Sequence, residues 1–215
     1  MPAMCMRFWP GWRWLREQVT AGTWGKVRHA TFQRFGARPG WGGDFYHDAA
    51  RCGGAILDLH IHDIDFIRAC FGDPAAVSAT GFTGSSGGID HISARFSFPD
   101  GPEWVVAEGG WLEYPDFPFV MRYLIQFEEA TACFDLGRDP VLELHHRGGV
   151  SETVKRPGLG SVTGYEREIG HFLDCIIEGR PSTEISIADG AAAISLVESE
   201  RESIRTGMPI SPTIG

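Results

Sequence analysis

Between Gly25 and Phe35 the chain alternates, with Val27, His29, Thr31 and Gln33 on one side and Arg28, Ala30, Phe32 and Arg34 on the other. A period of two predicts a strand. Ahead of it, residues 3–8 read as a short strand and Pro10–Ala21 as a helix. Proline suits a first helical turn and Gly22 suits the stop. The uninterrupted segment Gly54–Phe71 is long enough for a helix. From Ala75 the pattern breaks into short runs rich in β-branched and aromatic residues: Ala75–Phe82, Ile89–Phe98, Glu103–Trp111, Phe119–Phe127, Ala130–Asp135, Val141–His145 and Val150–Lys155. In Ile89–Phe98, Ile92, Ala94, Phe96 and Phe98 share one face, and His91, Ser93, Arg95 and Ser97 the other. Pro99-Asp-Gly101 reads as a hairpin turn, with proline presetting φ and glycine accepting a positive one. Consecutive strands on short links predict an antiparallel meander. Two helices close the chain, Gly164–Ile177 and Ile187–Thr206. Ser186 and Asp189 suit a capping box for the second, and Gly207 with Pro209 its stop. The expected class is α+β: a large, mainly antiparallel open sheet with helices on one face.

A chain of 215 residues with 43% hydrophobic and 22% charged positions is long enough for a single domain spanning 1–215. It contains no apolar run of membrane-spanning length, and Met1–Arg7 lacks the make-up of a secretory signal. A net charge of −9, with Lys26 and Lys155 the only lysines, argues against nucleic acid as a partner. Five cysteines, odd in number and never spaced C-x-x-C, suggest reduced thiols in the cytoplasm and no zinc or disulfide framework. Gly36–Gly54 holds six glycines among Trp41, Tyr46, His47 and two aspartates, a make-up more typical of a functional loop than of a connector.

The chemistry concentrates in Gly53–Gly72. At 100° per residue, Asp58, His62 and Asp65 fall on one arc of a helix, and most apolar residues take the remainder. Four-residue spacing sets the Asp58 carboxylate next to the His62 imidazole, where an anion raises the histidine pKa and fixes its tautomer. That is a proton-relay arrangement; a helix-surface ion pair is the plainer reading. His60 and Asp63 lie on a different arc and read as a buried hydrogen-bonded pair. A strand reading competes, because Leu57, Leu59 and Ile61 alternate with Asp58, His60 and His62. A strand ending in His-x-His would suit a zinc hydrolase that activates water.

The stretch Gly53-Gly-Ala-Ile-Leu-Asp-Leu-His-Ile-His-Asp-Ile-Asp65 resembles the G-G-x-x-x-D-x-x-x-H-x-x-D helix of the Gfo/Idh/MocA oxidoreductases, the glucose–fructose oxidoreductase and inositol dehydrogenase family. Met6-Arg-Phe-Trp-Pro10 is similar to that family's R-x-x-P lead-in from its cofactor domain. Ala21–Val27 resembles its G-x-I-G-K-I turn, Tyr165–Gly179 its Y-x-x-E-I-x-x-F helix, and Ile185–Pro209 its closing helix. The ordered set covers nearly the whole chain.

The resemblance implies the C-terminal domain shared with glyceraldehyde-3-phosphate dehydrogenase-like enzymes. It implies NAD or NADP as cofactor and a sugar or polyol as substrate. It gives His62 the acid/base role and Asp58 the orienting role. Arg7 is placed near nicotinamide or substrate, with a salt bridge holding its own segment as the equal reading. Trp41, Tyr46 and His47 are candidates to contact a sugar, with loop packing as the alternative for each. A homo-oligomer through the sheet face is implied, with Trp104, Trp111 and Phe96 as candidate outer aromatics. No metal site is expected.

The family's dinucleotide-binding G-x-G-x-x-G turn and E-K-P lysine do not occur in this sequence. Gly158–Gly164 has the wrong spacing and reads as an ordinary turn. Residues 1–215 therefore read as a substrate-binding and oligomerisation half that is not redox-competent alone. The rivals are a non-catalytic assembly module of the same fold and a metal-dependent hydrolase built on His60 and His62.

Overall fold

The alternating segment after Gly25 becomes β1 (Val27–Ala37), a central strand of an eight-stranded sheet. The computed structural model describes residues 1–161 and 163–214. The remaining strands are β2 (Ala76–Thr83), β3 (Ile89–Ser97), β4 (Trp104–Leu112), β5 (Val120–Phe127), β6 (Ala130–Asp135), β7 (Leu142–His146) and β8 (Ser151–Thr153). Their order is β2-β3-β4-β1-β5-β6-β7-β8. The expected meander is thus two meanders separated by β1, which runs antiparallel to β5 and parallel to β4. The link Glu113–Phe119 between β4 and β5 steps over β1. A local pattern of short links carries no information about a strand inserted from earlier in the chain.

Helix α1 (Pro10–Ala21) has proline in its first turn and ends at Gly22 with φ 62°. Residues 3–8 form no strand. Cys5–Arg7 make a 3₁₀ turn, and Met4, Cys5, Met6, Phe8 and Trp9 are all buried. A run apolar on every side needs burial on every side, which one strand face does not provide. The run ends in extended geometry at Trp9, as the following proline demands. A short helix, α2 (Ala49–Cys52), lies in the glycine-rich loop, and α3 (Ile61–Phe71) follows a π-helical turn at Ile56–His60. Helices α4 (Thr163–Ile177) and α5 (Ile187–Thr206) close the chain. In the α5 capping box, Ser186 Oγ accepts from the Asp189 N–H at 3.1 Å and Asp189 accepts from the Ser186 N–H at 2.8 Å. Gly158–Gly160 form a turn before α4, while Val162 of that glycine-containing segment lies outside the described residues.

The core lies between the sheet and the helices. Trp12 packs edge-on to Phe66 (4.8 Å between ring centres) and Tyr123 (5.4 Å), and Tyr123 stacks on Phe134. Burying each such ring contributes about 1.5–3 kcal/mol, and the edge-on geometry about 0.5–1.5 kcal/mol more. The Pro99–Gly101 turn closes through the Gly101 N–H on the Phe98 carbonyl at 3.2 Å. Gly101 is not among the glycines at positive φ. Glycine is needed there because a Cβ would lie 2.7 Å from that of Phe98.

On the sheet face away from the core, two of the expected aromatics are corrected: Phe96 and Trp111 are buried. Trp104 (46% exposed) faces out with the Arg95 guanidinium 5.1 Å over its ring, and Phe82 (61% exposed) stacks on His91, against which Phe35 also packs. A polar chain also crosses the strands. His91 lies 3.4 Å from Glu108, Gln33 Nε2 donates to Glu108 at 2.9 Å, and Arg122 donates to Gln33. The five cysteines are free, and no helix among the described residues is long and apolar enough to cross a membrane.

Candidate active site

Gly53 and Gly54, both at positive φ (83° and 77°), turn the glycine-rich loop sharply into the helical segment. At Gly54 a Cβ would also meet the Ile89 carbonyl at 3.0 Å. The first stretch, Ile56–His60, winds as a π-helix before α3 resumes α geometry. The segment is therefore helical, and the strand reading is overturned. The wider turn also changes the arc on which each side chain falls.

His60 is fully buried and lies 3.1 Å from the equally buried Glu200 of α5. Asp63 instead takes two hydrogen bonds from Arg34 of β1, from Nε at 2.8 Å and Nη2 at 3.0 Å. The expected His60–Asp63 pair does not form, because the two residues face different walls of the core. His60 and His62 likewise turn to different surroundings, and among the described residues no three metal-ligating side chains converge.

His62 is half-buried, and its Nδ1 is buried without a hydrogen-bond partner. Burial first, and then the Arg34 charge, push its pKa down to about 4, with Asp63 opposing them. The expected rise caused by Asp58 is corrected. Neither a hydrogen bond nor an ion pair joins Asp58 to His62. Four residues fill a turn in an α-helix but fall short of one where the helix has widened, so the two groups leave the shared line. Asp58 is half-buried, and burial raises its carboxyl pKa. Its charge acts on two phenols: burial and then Asp58 raise Tyr46, and burial, Cys5 and lesser charges including Asp58 raise Tyr165.

Arg7 is buried and committed to the fold. Nε and Nη2 donate to Asp65, each at 2.8 Å, and Nη1 donates to the Glu184 carbonyl at 2.7 Å. The salt-bridge reading is the one its geometry supports, and Asp65 leaves the reactive arc with it. Tyr46 is buried in a small cluster with Cys52, Ala55 and Trp111. Trp41 is exposed and edge-on to Tyr46 at 5.1 Å. His47 is exposed and lines a cavity of about 300 Å³ with Arg38 and Glu113.

Two residues that the sequence reading passed over stand close to the chemistry. Arg34 is the charge that, after burial, lowers the His62 pKa, and its signal was an arginine sharing parity with Arg28, Ala30 and Phe32. Tyr165, in the first turn of α4, packs edge-on to Trp9 at 5.4 Å, and its signal was its place at the head of the Y-x-x-E-I-x-x-F pattern. Burial and Arg34 keep the His62 imidazole neutral, and the half-buried Asp58 carboxylate lies near enough to Tyr46 and Tyr165 to raise both phenols.

The sequence profile of the GFO/IDH/MocA C-terminal domain matches residues 12–131. Mouse (Mus musculus) trans-1,2-dihydrobenzene-1,2-diol dehydrogenase is 33% identical over 225 aligned positions, covering 97% of this chain. The chain spans 63% of that protein's length. Among solved structures, a levoglucosan dehydrogenase in complex with NADH and L-sorbose superposes with a TM-score of 0.83 at 19% identity, over 99% of this chain and 65% of that one. A putative myo-inositol dehydrogenase from Sinorhizobium meliloti 1021 gives 0.74 at 22% identity, over 98% of this chain and 64% of that one. These two likenesses are of fold.

Proposed function

From the premise that this chain belongs to the GFO/IDH/MocA family, we propose that it forms the substrate-binding half of an NAD(P)-dependent dehydrogenase acting on a sugar or polyol. The observation that carries the reading is the His62 imidazole, kept neutral by burial and by Arg34, with its buried Nδ1 unpartnered among the described residues.

The fit to a nicotinamide dinucleotide is confined to its reactive end. The free His62 imidazole and the half-open Tyr165 ring suit a site of hydride transfer, but among the described residues no strand–turn–helix offers a glycine cradle for the phosphates. The phosphates are therefore assigned to a dinucleotide-binding domain other than residues 1–215. When bound, the nicotinamide would supply the hydride acceptor.

His62 then takes the substrate hydroxyl proton as a neutral base. A base whose conjugate acid has a pKa of about 4 removes that proton as hydride leaves, since the carbinol becomes acidic only as it turns into a carbonyl. In reverse the imidazolium is a strong acid, but it forms at only about one site in a thousand at pH 7, so the reduction direction should quicken as pH falls. Asp58, Tyr46 and Tyr165 hold the remaining hydroxyls, and Trp41 and His47 bound the loop side. Arg7 acts through the fold. The sheet face away from the core is the proposed surface for self-association.

The test is nicotinamide reduction by protein that carries a dinucleotide-binding domain, with a panel of cyclic polyols, anhydrosugars and dihydrodiols. Oxidation of at least one of them, and of no simple alkyl alcohol, is expected. No oxidation of any, with cofactor binding intact, would leave the non-catalytic assembly module as the better reading.

A further inference from the structure

Two consecutive residues of α5 reach back to the two ends of the π-helical stretch Ile56–His60. Arg201 Nη2 donates to the Gly53 carbonyl at 2.8 Å, just before the stretch begins. Glu200 Oε1 lies 3.1 Å from Nε2 of His60, the last residue of the stretch. His60 and Glu200 are both fully buried, and among the described residues His60 Nδ1 and Glu200 Oε2 have no hydrogen-bond partner. Each side chain therefore depends on the other for its one polar contact. Gly109 of β4 leaves room for the ring, because a Cβ there would stand 3.4 Å from His60 Nδ1 and 2.8 Å from the Arg34 carbonyl oxygen.

A π turn is a rare winding, found mostly as a single widened turn inside an α-helix. Rewinding it as α-helix would rotate one end of the stretch against the other by about 100°, one residue's step. That rotation would carry His60 off Glu200 and leave a desolvated carboxylate without its donor, a large penalty for a charged group. We infer that Glu200 and Arg201 are positioning residues: by tying His60 and Gly53 to α5 they hold Ile56–His60 in its π winding and keep Asp58 out of line with His62. The winding stands on the contacts alone, while its catalytic consequence rests on the dehydrogenase reading. In α geometry the four-residue spacing would set the Asp58 carboxylate against the imidazole and favour its charged form. A protonated imidazole cannot accept a hydroxyl proton. The clamp thus keeps one anion away from a ring that already feels burial, Arg34 of β1 and, opposing them, Asp63 of α3.

The test is an NMR pH titration of His62 in the 215-residue chain, for wild type, Arg201→Met, Glu200→Leu and Glu200→Gln, each alone and with Asp58→Asn. Arg201 is only half-buried, so Arg201→Met should keep the fold, which circular dichroism checks, and it decides the matter should Glu200→Leu not fold. Arg201→Met and Glu200→Leu should raise the His62 midpoint by about one unit or more, and Asp58→Asn should cancel most of that rise. Glu200→Gln should keep the wild-type midpoint, since its amide oxygen can still accept from His60. Residues that merely stabilised the fold would lower resistance to urea without moving His62. An unmoved midpoint in the folded variants overturns the inference. So does a rise that Asp58→Asn leaves in place, which would report water reaching the ring. In protein carrying the dinucleotide-binding domain, the acid limb of the kcat–pH profile should move up with the midpoint. A rise cancelled by Asp58→Asn, in protein that oxidises no polyol, upholds the clamp and refutes only the dehydrogenase reading.

Discussion

Replacing His62 with asparagine should lower turnover by about 10²–10⁴-fold, the usual contribution of a positioned general base. Asparagine keeps a similar volume and polarity but cannot accept a proton. Fold and cofactor affinity should be unchanged, because among the described residues no hydrogen bond or ion pair ties His62 to the rest of the protein. Asp58→Asn should behave differently. Asp58 is not bonded to the imidazole and its charge acts on Tyr46 and Tyr165, so its loss should appear mainly as a higher KM. Steady-state kinetics of both variants, in protein carrying the dinucleotide-binding domain, check the pair. Equal kcat losses for the two would mean that Asp58 works through His62 after all.

Arg34→Met should destabilise the protein by about 3–5 kcal/mol, because it strands the Asp63 carboxylate in the core. The pair is fully desolvated, with both carboxylate oxygens bound and the guanidinium packed 5.3 Å over the Trp12 ring. The double change Arg34→Met/Asp63→Leu should restore most of the loss, since a buried ion pair is often no more stabilising than well-packed apolar residues. The same single change should raise the His62 pKa. Arg34 is the charge that lowers it and Asp63 the one that raises it, so removing the cation alone shifts the balance upward. Urea unfolding reads the first effect and imidazole NMR the second.

The parts legible in the sequence are those encoded locally. The ends of α1 follow from Pro10 and Gly22, and those of α5 from Ser186, Asp189 and Gly207; both helices have the bounds their caps predict. The strands followed their alternation closely, but the position of β1 between β4 and β5 did not, because pairing between distant segments leaves no local trace. The π-helical turn was equally invisible. A wheel drawn at α spacing aligned Asp58 with His62, and one widened turn undid that alignment. Arg34 was readable in principle, since a charge on the apolar face of a strand requires a buried partner. Finding that partner in Asp63 required the fold.

The electrostatics of His62 also set a pH dependence of stability. Above 6.5 the imidazole is neutral in both folded and unfolded chains and contributes nothing. As pH falls from 6.5 towards about 4, the unfolded chain takes a proton that the folded one refuses, so stability drops. Below that value both forms are protonated and the loss levels off.

The most direct measurement is an NMR pH titration of the His62 imidazole in the 215-residue chain. The ring should stay neutral through the physiological range and protonate only near about 4. A midpoint at the ordinary histidine value of about 6.5 would mean that neither burial nor Arg34 controls this group, and would contradict the account of how the site holds its base neutral.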